Sequence, residues 1–149
     1  MPTVSRTFIK SGLIWFFFAL TCSLTLEMDW LNAPVLRPLY WHMLMVGWIT
    51  QIIFGVSLWM FPGRSRSDAF REHLKEWMTF GLLNSGLVLR VLSEPMAGRD
   101  LLFWDTILVL SAVLQWGAAV TYLMELWPRV LSKKKRLKQV QKMRKRKEV

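Results

Sequence analysis

The sequence predicts an all-α integral membrane protein: four transmembrane helices in an up-down bundle, with both termini cytoplasmic. Three observations predict it. Leu39–Phe61 is a run of 23 residues without Asp, Glu, Lys or Arg, and roughly 20 such residues cross a bilayer core. Three further apolar stretches, Phe8–Leu26, Trp77–Leu92 and Leu101–Leu126, keep their few charges near an end, where a side chain reaches the interface. The Lys and Arg gather in alternate connecting segments, as cytoplasmic loops do.

The first helix is placed at about 8–26. It is long for a signal-peptide core and no small-x-small site follows it, so it is expected to stay in the mature chain. The loop Glu27–Pro38 contains Pro34 and Pro38 as helix stops. The second helix is placed at 39–61 and ends at Pro62-Gly63. Ser67–Glu76 is expected to form a short amphipathic surface helix, capped by Ser67 or Asp68, with Phe70 and Leu74 on one face. The third and fourth helices are placed at 77–92 and 101–126, joined by a short loop with Pro95 and Gly98. Arg90 and Asp105 are expected to pair structurally across that end. Trp30, Trp41, Trp59, Trp77, Trp104 and Trp127 lie near helix ends, as an interfacial aromatic belt does.

Residues 1–128 form the transmembrane domain and 129–149 a basic tail. The tail holds eleven of the twenty Lys and Arg against one acid, Glu148, and so carries the whole net charge of +10. Arg6, Lys10, Arg64, Arg66, Arg71, Lys75 and the tail share one side of a four-span chain, which sets the N-in/C-in orientation. Two readings of the tail stand. Lys133, Lys134, Lys135 and Arg136 lie along anionic lipid headgroups, each base contributing about 1 kcal/mol, or the tail is a solvated anchor that enforces topology. No aromatic-interleaved basic motif points to nucleic acid.

Small and amide-bearing residues recur at helical spacing. Gly47, Gln51 and Gly55 form a close-approach surface on the second helix, Gly81 and Ser85 on the third, with Asn84 and Gly86 beside them, and Ser111 and Gln115 on the fourth, with Ala119. Packing alone accounts for these stripes. His42 is the one His within an apolar span. It is either a neutral, hydrogen-bonded helix residue or a ligand to a haem iron or another metal. Cys22, Met28 and Met96 fall at about its depth and, as soft donors, would suit Cu(I). There is no phosphate loop, no Cys/His cluster and no nucleophile–base pair, so catalysis by this chain alone is not expected.

The stretch Leu36–Pro62, LRPLYWHMLMVGWITQIIFGVSLWMFP, carries His42, Gly47, Trp48, Gly55 and Pro62. In these positions it resembles a helix of the haem-copper oxidase subunit I superfamily, particularly its cbb3-type and nitric-oxide-reductase-like members. It is also similar to short four-helix bacterial membrane proteins labelled as subunit-I-like. The resemblance is strongest over about 27 residues and fainter over Phe8–Leu126. It implies a bacterial inner-membrane protein of respiratory type, with haem b as cofactor and His42 as its axial ligand. It also implies an association with a haem-bearing oxidase or a homo-oligomer. The departures are specific: Tyr40 stands where a second His is common, and the copper-ligand histidines are absent. Four helices do not build a twelve-helix oxidase core, so reduction of oxygen or nitric oxide by this chain alone is not implied. The alternative is a cofactor-free accessory or scaffold subunit that packs on a larger membrane complex.

Overall fold

A computed structural model describes residues 1–28, 36–61, 69–96 and 101–130. Among these every secondary-structure element is a helix. Helix α1 spans Thr3–Glu27, α2 Leu36–Met60, α3 Ala69–Ser93 and α4 Leu101–Leu126. Among the described residues three helices are long and apolar enough to cross a membrane: Thr3–Glu27, Leu36–Met60 and Leu102–Leu126. With large apolar side chains exposed along them, such as Phe17, Ile53 and Val113, these helices point to a membrane protein.

Helix α3 differs from the expectation. The short surface helix and the third apolar stretch are one continuous helix of 25 residues. Nothing between them breaks it: no Gly or Pro lies between Ala69 and Phe80, and Glu76 and Thr79 both turn inward. The buried Thr79 hydroxyl donates to the Lys75 carbonyl and lies 2.9 Å from the Thr121 hydroxyl. The expected capping residues Ser67 and Asp68, the side chain of Phe70, and Lys133, Lys134, Lys135 and Arg136 lie outside the described residues.

The side-chain pairings run up and down. Ser5 and Phe8 of α1 meet Gly55 of α2, Trp15 meets Gly47, and Cys22 meets Leu36. Thr79 of α3 meets Thr121 of α4, and Gly86 meets Ser111. Among the described residues α1 and α4 do not pack on each other. Helix α3 packs chiefly on α4, and α2 and α3 each touch the other three helices. Tyr122 of α4 reaches α2, stacking on Phe54 with ring centroids 3.6 Å apart and placing its hydroxyl 2.6 Å from that of Ser57.

Helix α2 contains eight residues of wider π-type winding, Met43–Thr50. The Thr50 hydroxyl follows it by donating to the carbonyl of Met45, five residues back, at 2.8 Å. Such insertions often sit at functional positions. Here the wide turns lie between His42 and the fully buried Gln51.

Candidate functional site

Polar side chains inside the bundle fall into three layers. The central layer is built on Asn84. Its Oδ1 accepts from Ser11 Oγ at 2.9 Å, Trp15 Nε1 at 3.1 Å and Gln51 Nε2 at 3.0 Å. Its Nδ2 donates to the Phe80 carbonyl at 3.0 Å and to Gln51 Oε1 at 3.4 Å. One amide therefore ties α1, α2 and α3 together. Gln51 is fully buried, and a polar group so placed is costly unless it is paired.

The second layer lies where α1 begins and α4 ends. Arg129 is 5% exposed, between Glu125 and Glu76. Its guanidinium donates to Glu125 through Nε at 3.0 Å and also through Nη2, to Glu76 at 3.0 Å, and to the Phe61 carbonyl at 3.2 Å. Lys75 lies 3.9 Å from Glu125, and His73 lies 3.9 Å from Glu76. Burial alone would push the Arg129 guanidinium down, but its hydrogen bonds and charge contacts with Glu125 and Glu76 outweigh that and hold it above its ordinary value. This cluster joins the ends of α2, α3 and α4.

The third layer is at the opposite end. His42 Nδ1 donates to the Pro38 carbonyl at 2.9 Å and lies 3.4 Å from Glu94 Oε2. Glu94 follows α3 in a single 3-10 turn, Glu94–Met96, and lies 3.9 Å from Arg90. The expected Arg90–Asp105 pair does not form. Asp105 is exposed, and Arg90 reaches Glu94 instead because the two are one helical turn apart on the buried side.

The stripes read from the sequence separate into two groups. A Cβ on Gly47 would lie 2.8 Å from Trp15 Cβ, and one on Gly55 3.0 Å from Phe8 Cβ, so these glycines allow α1 and α2 their close approach. Ser111 and Gln115 are likewise internal: Ser111 Oγ donates to the Gly86 carbonyl at 2.7 Å and accepts from Gln115 Nε2 at 3.1 Å. Gly81 and Ser85 are not internal. Both are exposed, and nothing lies within 4 Å of a Cβ on Gly81. The close approach of α3 to α4 is made by Gly86, which is 140° around the helix from Gly81 at about 100° per residue.

The fit of a haem can be tested on these residues. His42 brings one imidazole whose Nδ1 is engaged by Pro38, which leaves Nε2 to coordinate, the usual arrangement for a ligating His. An apolar crevice of about 450 Å³ lies between α1 and α2, but it is lined by Leu39 and Met43 of α2 and not by His42. Among the described residues no three His, Cys, Asp or Glu side chains converge. The other His of the chain, His73, lies in the opposite layer beside Glu76, so a haem held by two imidazoles at His42 would take its second from another chain. The sequence had flagged His42 but not Ser11, Trp15, Glu76 or Arg129, and had set Asn84 only beside a stripe. The signal for Asn84 was its side-chain amide amid the apolar run of α3; for Arg129 there was none, since it reads as the first residue of a basic tail.

No protein-family model, no curated protein and no solved structure matches this chain.

Proposed function

We propose that this chain is a four-span accessory subunit of a bacterial inner membrane, with both termini cytoplasmic, and that it acts by packing its α3 helix against neighbouring membrane helices. One observation carries the reading. Leu74, Met78, Gly81, Ser85, Val88 and Leu92 are all exposed on α3, and their spacing alternates four and three. That is the spacing of a helix–helix seam, with its two smallest residues at the centre, where backbones come closest. The exposed faces of α1 and α4 are bulky instead: Leu13, Phe17, Leu20 and Leu24 on one, Val109, Val113 and Trp116 on the other. Lipid accommodates that relief without a partner. The orientation is supported by the basic residues gathered in alternate segments.

The test is site-specific photo-crosslinking in native membranes. A crosslinking side chain at Ser85 is expected to give a discrete adduct, whose mass identifies a second copy or another subunit. The same group at Leu110 is expected to give none. Gly81→Leu should abolish the adduct while leaving the folded chain intact, since that Cβ meets nothing. No adduct from Ser85, or equal adducts from Leu110, overturns the reading.

A second reading keeps His42 as a haem ligand shared between two chains, in line with the oxidase resemblance. The Nδ1–H bond to Pro38 favours it, because it fixes the tautomer that leaves Nε2 free. A haem there would supply electron transfer. The reading predicts a reduced-minus-oxidised b-type spectrum that disappears in His42→Ala. A colourless wild-type preparation from a haem-sufficient host excludes it.

A further inference from the structure

The crevice between α1 and α2 is not accounted for by the packing role of α3. We propose that it is a binding site for one acyl chain of a membrane phospholipid, with the phosphate at the level of Arg37. The crevice has a volume of about 450 Å³ and is open on one side. It runs along α1 from Trp15 to Thr25 and along α2 from Met43 to Leu36, with Val91 of α3 at its back.

Its chemistry selects hydrocarbon. Every polar side chain on the wall is already engaged. Trp15 donates to Asn84, Thr21 to the Phe17 carbonyl, Thr25 to the Cys22 carbonyl and the Cys22 thiol to the Leu36 carbonyl. Among the described residues no side-chain donor on the wall is left over for the carbonyl of a quinone or the carboxylates of a porphyrin. A ligand must therefore be apolar along the whole wall, or it buries unpaired polar groups.

Its length selects an acyl chain. Ten residues of helix from Trp15 to Thr25 rise about 15 Å, half of a hydrocarbon core about 30 Å thick. The site is thus one leaflet deep. The shallow end has a charge complement: Arg37 is exposed, next in the chain to the wall residue Leu36, and its guanidinium matches a lipid phosphate.

This inference depends on α1 and α2 lying in a membrane and not on a partner for α3, so the two fail separately. The full-length protein is reconstituted in vesicles of phosphatidylethanolamine and phosphatidylglycerol, extracted in mild detergent and examined by native mass spectrometry. One retained phospholipid per chain is expected. Val91→Trp fills the crevice and should reduce retention at least tenfold, with a thermal midpoint equal to or above wild type. Arg37→Gln should weaken retention without moving the midpoint. Independently of any variant's folding, Cys22, the one cysteine of the chain, reports on the wall. Delipidated wild type should react with N-ethylmaleimide at least tenfold faster than protein supplied with phosphatidylglycerol. Lipid-free wild type, full retention in a folded Val91→Trp, lipid-independent Cys22 labelling, or displacement of the phospholipid by an equimolar isoprenoid quinone each overturns the proposal.

Discussion

Asn84 Oδ1 accepts the side-chain amide of Gln51 at 3.0 Å, joining the middle of α3 to the middle of α2. The same oxygen takes Ser11 and Trp15 of α1. In hydrocarbon there is no apolar driving force between helices, and association relies on close packing and on hydrogen bonds of this kind. Both contribute here at one level. Gly47 brings the α2 backbone against Trp15, and that contact sets the Trp15 indole where its N–H reaches Asn84.

Asn84→Leu is expected to destabilise the bundle by about 2 kcal/mol, since three donors lose an acceptor and each such bond in a membrane contributes about 0.6 kcal/mol. Gln51→Leu should cost about 1 kcal/mol by the same reckoning. The double variant should cost less than the sum, because the two amides satisfy each other. Reversible unfolding in bicelles measures all three. Strict additivity would show that the amides do not act as a pair.

Two glycines on different helices should respond oppositely to the same methyl group. Gly47→Ala places its Cβ 2.8 Å from Trp15 Cβ and 3.0 Å from Leu87 Cδ2. The Trp15 atom sits at the base of its side chain and yields little, so a loss of about 1–3 kcal/mol is expected from overpacking. Gly81→Ala meets nothing within 4 Å. It should stabilise the isolated chain by about 0.5–1 kcal/mol through helix propensity. Thermal midpoints of the two variants, measured in detergent, separate these outcomes.

The helical architecture was legible because its signal is long: apolar runs of some twenty residues need no partner to be recognised. The spacing of Gly47, Gln51 and Gly55 marked a stripe, but periodicity does not say whether a stripe faces in or out. Gly81 and Gly86 look alike in the sequence, yet one is exposed and the other lies against Ser111 and Gln115. The identity of the neighbours decides, and that is tertiary information. Arg129 was hidden for a different reason. Ten more basic residues follow it in the sequence, and only the fold sets it apart by burying it between two carboxylates brought in by different helices.

That burial sets up the sharpest contrast among possible substitutions. Arg129→Met removes the one cation among the described residues that hydrogen-bonds both Glu76 and Glu125, leaving two acids that are 9% and 4% exposed. Losing one partner of a buried pair typically costs about 3–5 kcal/mol, because the remaining charge stays desolvated. Lys75, at 3.9 Å from Glu125 and half exposed, is too loosely placed to replace it. Arg129→Lys keeps the charge but has no planar fork to span Glu125, Glu76 and the Phe61 carbonyl together, so it should recover only part of the loss. The triple variant Arg129→Met, Glu76→Gln, Glu125→Gln removes the uncompensated charges and should regain most of the stability of the wild type. Unfolding free energies across the four proteins check the order. If Arg129→Met were as stable as wild type, the cluster would be an ion pair of little weight, and the ends of α2, α3 and α4 would be held by the apolar cluster around Phe8, Phe54, Leu58 and Tyr122 and by the Ser57–Tyr122 and Thr79–Thr121 contacts.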